Sequence, residues 1–141
     1  MKIYFATSIR GNSSEESFNT NVHMIEHLKK YGIVLTEHFS DVSVLNEGEI
    51  EINDKEIHDR DVNWIREADV VVAEVSNPSL GVGYEIRYAI EHKKKIFCLY
   101  KKQTKKLSAM IRGCNKIVLK DYDNVDKGLK LIDEFFNKHI V

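Results

Sequence analysis

Residues 69–89 read "DVVVAEVSNPSLGVGYEIRYA", and the reading of this stretch decides the fold. The unbroken apolar run at 69–75 lacks the alternation of a half-buried strand, so it predicts a strand covered on both faces, as in parallel sheets. After it come the chain's only proline, Pro78, then Gly81 and Gly83, and a helical pattern over about 83–93. A buried strand that turns through a short Ser- and Gly-containing loop into a helix is one half of a βαβ unit.

The same alternation extends in both directions. "KIYFAT" (2–7) predicts a first strand, "EESFNTNVHMIEHLKKYG" (15–32) a helix that stops at Gly32, and "IVLTE" (33–37) a second strand. A helix over about 53–67 precedes the run at 69–75. "KIFCLY" (95–100) and "KIVLK" (116–120) predict the fourth and fifth strands, with "LSAMIRG" between them, and a helix over about 125–139 closes the chain. Five strands alternating with helices predict one α/β domain over 1–141. The expected form is a five-stranded parallel doubly wound sheet, flavodoxin- or Rossmann-like, with strand order 2-1-3-4-5. The polar stretch 39–52 is longer than an ordinary connection and reads either as a lid or as an irregular loop.

Composition narrows the function classes. With 141 residues, 43% hydrophobic and 30% charged, the chain is long enough to bury roughly 70% of its unfolded surface. A net charge of -1 supplies no concentrated basic face for nucleic acid. No segment approaches the roughly 18 apolar residues of a membrane span, and the start lacks a signal peptide's apolar core. The chain is therefore expected to be cytoplasmic, with neither membrane nor nucleic acid as partner. Cys98 and Cys114 lack metal-ligand spacing, and Cys98, inside "KIFCLY", is expected to be a buried small hydrophobe. The six histidines, His58 among them, show no zinc-ligand spacing either, so no metal is expected.

In a sheet of order 2-1-3-4-5, ligands bind beyond the carboxyl ends of strands 1 and 3. The loops there are "SIRGNSS" and "SNPSLGVG". Their hydroxyls and glycines let backbone N–H groups approach an oxyanion, and each leads into a helix N-terminus, which favours anions. Arg10, flanked by Ser8 and Gly11, carries a guanidinium able to take two phosphate oxygens at once.

Two carboxylates have different expected environments. On the helix at 53–67, apolar residues at 57, 64, 65 and 68 form a stripe with Asp61 in its middle. A carboxylate there must be paired or protonated. It is either a structural aspartate or an acid whose pKa is raised by its surroundings and which faces the crevice. Glu85 is expected in the first turn of the next helix, where the dipole favours the ionised form. It is either a helix-start residue or a group that works on a ligand. Two carboxyl groups of unlike environment flanking one ligand form the arrangement that glycosidic cleavage uses. Tyr4, on the first strand, is core or pocket wall.

The segments "IYFATSIRG", "VLTEH", "IHDRDVNWIREADVVVAEVSNPSLGVGYEIRYAI" and "LSAMIRG" closely resemble the 2′-deoxynucleoside 5′-phosphate N-hydrolases of the nucleoside 2-deoxyribosyltransferase superfamily. The resemblance runs from strand 1 to about Gly113. It implies hydrolysis of the N-glycosidic bond of a deoxynucleoside monophosphate, without a cofactor, to free base and 2-deoxyribose 5-phosphate. By the same resemblance Glu85 matches the catalytic glutamate, Asp61 the aspartate near the base and anomeric centre, and Tyr4 the tyrosine that helps place sugar and glutamate. Ser8, Arg10, Gly11, Ser79 and Gly81 match the region that holds the 5′-phosphate, with Ile9 among the substrate-binding residues. Ser108 and Met110 match residues supplied by a neighbouring subunit, which implies a homodimer. Thr7 departs from the glycine of an animal relative, which bears on how sugar or phosphate is seated. A deoxyribosyltransferase, a ribonucleotide N-hydrolase of CMP type and a non-catalytic nucleotide sensor are the alternatives. Arg10 and the serine-rich loops favour a phosphorylated substrate, and hence a hydrolase, over the transferase.

Overall fold

The computed structural model describes residues 1–9, 14–40, 52–102 and 106–140. Strands β1 (Lys2–Thr7), β2 (Ile33–Val34), β3 (Val70–Glu74), β4 (Lys95–Lys101) and β5 (Val118–Tyr122) form one parallel sheet in the order β2-β1-β3-β4-β5. Helices α1 (Glu15–Leu28), α2 (Asp54–Glu67), α3 (Leu80–Glu91), α4 (Ala109–Arg112) and α5 (Val125–His139) follow the alternation. The expected topology is the observed one. All five residues of β3 are buried, as the unbroken apolar run at the centre of a doubly covered sheet requires.

Strand alternation sorts the core into two layers. Ile3 and Phe5 of β1 point to the layer that includes Met24, Ile25 and Leu28 of α1 and Ile132, Phe135 and Phe136 of α5. Phe97 stacks on Phe135 there, with ring centroids 4.5 Å apart. Tyr4 and Ala6 point the other way, to Ile65 of α2 and to Val82, Ile86 and Ala89 of α3. This second layer is built with small residues, Ala6, Ala73 and Ala89, which bring α2 and α3 close to the sheet. Cys98 lies in the same layer, and burial pushes its thiol up to about 12. It packs as a small hydrophobe, as expected.

Several boundaries differ from expectation for local reasons. Helix α1 ends at Leu28, not at 32, and a turn follows. Gly32 is nonetheless required, because a Cβ there would fall 2.2 Å from the Met1 carbonyl oxygen. β2 stops at Val34 because Thr36 turns inward. Its hydroxyl accepts from the Phe5 N–H at 3.0 Å and donates to the Phe5 carbonyl at 2.8 Å, replacing ladder bonds with side-chain ones. A 3₁₀ turn at Glu37–Ser40 follows. β5 begins at Val118, two residues later than expected. Most of the expected lid or loop at 39–52 lies outside the described residues.

The largest difference is at α3. Its N-cap is Ser79, whose Oγ accepts from the Val82 N–H at 3.2 Å, so the helix starts at Leu80 and not near 83. A serine followed by residues that tolerate helix is a sufficient start signal, and the two glycines fall inside the helix. Glu85 therefore stands in the second turn, and the first turn holds no acidic residue. The expected stabilisation of Glu85 by the helix dipole does not apply, since that effect fades beyond the first turn.

Candidate active site

Six of the residues expected at the site meet where α2 and α3 face each other beyond the carboxyl end of β1. A cleft of about 760 Å³ opens there, and its lining includes Ser8, Ile9, Asp61, Ser79, Gly81 and Glu85. These six come from three segments. β1 delivers Ser8 and Ile9 just past its last residue, α2 delivers Asp61, and α3 delivers the rest. On α3, Gly81 and Glu85 are four residues apart and so lie one above the other on the same face.

Asp61 is buried, 7% exposed, on the sheet-facing side of α2. The requirement that such a carboxylate be paired is met by its neighbour. Arg60 reaches Asp61 Oδ1 through Nη2 at 2.7 Å and through Nε at 2.9 Å. The Arg60 guanidinium in turn lies 4.7 Å over the Trp64 ring. A charge-assisted pair held against an aromatic face keeps Asp61 in one orientation.

Tyr4 does not line the cleft but lies behind its floor, with no exposed surface. Its hydroxyl has no partner in full hydrogen-bonding geometry. Burial raises its pKa, and the charge of Glu85, then that of Asp61, raises it further, with a weaker hydrogen-bonding contribution from Glu85. The phenol therefore stays neutral, near enough to Glu85 and Asp61 for the charge of both to act on it.

Ser79 stands at the rim, at the N-terminus of α3. A Cβ placed on Gly81 would have only Ser79 Oγ near it, at 3.8 Å, so the cleft side of the first helical turn is open to a ligand. Arg10 and Gly11 lie outside the described residues. Ser108 and Met110 are not brought to this cleft. They line a separate groove of about 780 Å³ on the other side of α3, which shares Pro78, Ser79, Leu80 and Val82 with the cleft. Leu80 is 97% exposed and Met110 82%.

Sequence reasoning passed over two features. Glu74, the last residue of β3, is a buried carboxylate that accepts from the Ser76 N–H at 2.6 Å and from the Tyr122 hydroxyl. Ser76 Oγ accepts from the Lys101 N–H at 2.8 Å, so Glu74 and Ser76 tie the loop leading to Ser79 onto β4 and β5. Burial raises the Glu74 pKa against the opposing pull of those bonds. A carboxylate ending an apolar strand was the available signal. The second feature is the contact between α2 and α3 in which His58 Nε2 lies 3.0 Å from the Tyr84 hydroxyl, both residues lining the cleft. The spacing Asp54, Ile57, His58, Asp61 places one face of α2 on the cleft. Among the described residues no group of three or more His, Cys, Asp or Glu is placed to hold a metal ion, and no helix is long and apolar enough to cross a membrane.

The sequence model of the nucleoside 2-deoxyribosyltransferase family matches residues 3–131. The chain belongs to that family. Among family relatives, the 5-hydroxymethyl-dUMP N-hydrolase of Danio rerio is 44% identical over 140 residues, 96% of each chain. The protein of the same name from Tetraodon nigroviridis is 42% identical, over 97% of this chain and 98% of its own. The fold is similar to that of the CMP N-glycosidase BcmB of Clostridium botulinum, with a TM-score of 0.71 at 19% identity over 95% of this chain and 99% of that one. At that identity the likeness bears on the fold alone.

Proposed function

We propose that the protein hydrolyses the N-glycosidic bond of 2′-deoxynucleoside 5′-monophosphates, releasing the free base and 2-deoxyribose 5-phosphate. The observation that carries this reading is the placement of Glu85 and Asp61 on facing helices of one cleft, with a neutral tyrosine hydroxyl near both. Relatives above 40% identity named as N-hydrolases of a deoxynucleotide support the same reaction.

Glu85 is the nucleophile. Its carboxylate attacks C1′ as the C1′–N bond breaks and the bonding pair leaves with the base. Asp61, held ionised by its pair with Arg60, orients a water that delivers a proton to the departing nitrogen. The hydroxide left by that water then adds its oxygen to C1′ as the glycosyl–Glu85 bond breaks, so one water supplies both the proton and the oxygen. Tyr4 donates toward Glu85 and holds it for attack. Carboxylates and water suffice for these steps, so no cofactor enters the scheme.

The phosphate belongs at the rim. Ser8, Ser79 and the open first turn of α3 at Gly81 offer hydroxyl and backbone donors at a helix N-terminus, and Arg10 and Ile9 complete the set in this reading. A pocket built to bond an anion leaves its donors unpaired when a plain nucleoside enters, which gives strong discrimination. The second groove is covered by another copy of this chain, whose Ser108 and Met110 reach the cleft beside the shared Ser79 and Leu80. The exposed apolar surface of Leu80 and Met110 supports a homodimer.

Replacing Glu85 by Ala and following base release by chromatography tests the assignment. Loss of turnover with retained fold is expected, and unchanged turnover refutes it. Excess of a second free base should yield no new nucleoside; if one forms, the reaction is sugar transfer.

A further inference from the structure

β3 ends on a carboxylate that the reaction scheme does not use. Glu74 is buried at the close of an otherwise apolar strand, where a charge is costly unless its bonds are made. One oxygen accepts from the Ser76 N–H at 2.6 Å and the other from the Tyr122 hydroxyl on β5. Glu74 does not line the cleft. It faces a separate polar pocket of about 280 Å³ bounded by α1, so it acts on a ligand in the cleft only through other residues.

These bonds fall where the chain leaves the sheet. Glu74 pairs with Leu99 in the last register between β3 and β4, and the Val75 N–H still reaches the Leu99 carbonyl at 2.9 Å. One residue later, side chains take over. The Ser76 N–H turns back onto Glu74, and Ser76 Oγ accepts from the Lys101 N–H of β4 at 2.8 Å. Asn77 then donates from Nδ2 to Ser17 Oγ on α1 at 3.3 Å. Through Glu74, Ser76 and Asn77 the loop is fastened to β5, β4 and α1 in turn.

The rim of the cleft follows directly. Pro78, whose ring fixes its φ, is the only residue between Asn77 and Ser79, and Ser79 Oγ caps α3 through the Val82 N–H. So short a stretch with one torsion locked has little slack, and the position of Ser76 is passed on to Ser79 and the first turn of α3. Donors held in place before the ligand arrives lose less affinity to ordering. An apolar side chain at position 74 would suit the strand's burial equally well, but would leave the Ser76 N–H without this acceptor.

Resting on the hydrolase reading above, we infer that Glu74 is a positioning residue for the phosphate rim, acting through Ser76 to hold Ser79 and the first turn of α3 where the 5′-phosphate binds. Its contribution is to substrate affinity and not to cleavage, because Glu85 stands more than a turn beyond Ser79 on α3 and Asp61 stands on α2.

The test is steady-state kinetics on a deoxynucleoside 5′-monophosphate with the wild type, Glu74→Leu, Glu74→Gln and Ser76→Ala. Leucine removes both bonds while keeping the position filled. Glutamine keeps both, its carbonyl accepting from the Ser76 N–H and its amide donating to the Tyr122 oxygen. Glu74→Leu should raise KM roughly tenfold, the worth of one lost hydrogen bond, with kcat changed much less. Glu74→Gln should leave KM near the wild-type value. Ser76→Ala, which removes the Lys101 bond and leaves Glu74 in place, should raise KM in the same direction and decides the matter if Glu74→Leu does not fold. A residue that merely stabilised the fold would lower kcat through the active fraction and leave KM unmoved. That result, or a KM raised as much by Glu74→Gln as by Glu74→Leu, overturns this inference alone. A wild type that releases no base overturns the hydrolase reading and this inference with it.

Discussion

Replacing Gly81 by Ala should make the protein more stable and less able to bind its substrate. Gly81 is inside α3, where glycine costs about 0.5–1 kcal/mol relative to alanine through backbone entropy. In the free protein the added methyl meets only Ser79 Oγ, at 3.8 Å, which is ordinary van der Waals contact. The full gain should therefore be realised. For 141 residues, an unfolding entropy of about 2.1 cal/mol/K per residue gives about 0.3 kcal/mol/K, so Tm rises by about 2–3 °C. The same methyl projects toward the cleft that Gly81 lines. Overpacking of a close contact costs about 1–3 kcal/mol, so KM should rise roughly 5- to 150-fold with kcat changed much less. Calorimetry and steady-state kinetics on a deoxynucleotide read both effects. Gly83→Ala is the companion, because its Cβ meets nothing within 4 Å in this chain and Gly83 does not line the cleft. A lower Tm for Gly81→Ala, or an unchanged KM, refutes the placement of the phosphate against the first turn of α3.

Three other outcomes follow from named contacts. Burial raises the Glu74 pKa above its ordinary 4.5, so the folded chain keeps a proton that the unfolded chain has released. The stability this supplies is complete below 4.5 and is lost as pH rises above it, at up to about 1.4 kcal/mol per pH unit. Glu74→Gln should flatten that slope in a Tm-versus-pH series, and a slope identical to wild type counts against it. Asp61→Asn should slow turnover by about 10²–10⁴-fold, the usual worth of a positioned acid–base group; retention of full activity removes Asp61 from the scheme. Met110→Glu, at a position 82% exposed in the single chain, should leave Tm near wild type while shifting sedimentation toward the monomer and lowering activity. An unchanged dimer with unchanged activity argues against a site completed by the partner.

What the chain reveals before folding depends on how locally each feature is determined. The buried run of β3 and the closing helix α5, observed at Val125–His139, rest on periodicity within one segment and were legible. So was the burial of Asp61, because a helical stripe predicts which face is covered. β2 was not, since its early end depends on Thr36 bonding across to Phe5, a contact 31 residues away. The two glycines suggest a later start for α3 than the N-cap bond of Ser79 sets. The longer helix puts Glu85 in the second turn, beyond the reach of the dipole. The pairing of Asp61 with Arg60 was one residue away in sequence, yet periodicity alone does not say which way a guanidinium turns. The His58–Tyr84 contact joins residues 26 apart on two helices and becomes visible only when α2 and α3 are set side by side.

The central claim is that Glu85 and the phosphate rim act together on one N-glycosidic bond. Its most direct test is release of free base, followed by chromatography, from a deoxynucleoside 5′-monophosphate and from the same nucleoside without phosphate, by the wild type and by Glu85→Gln. The account predicts rapid release from the nucleotide by the wild type, release from the nucleoside slower by orders of magnitude, and none detectable from either by Glu85→Gln. Equal rates on nucleotide and nucleoside, or undiminished release by Glu85→Gln, would contradict it.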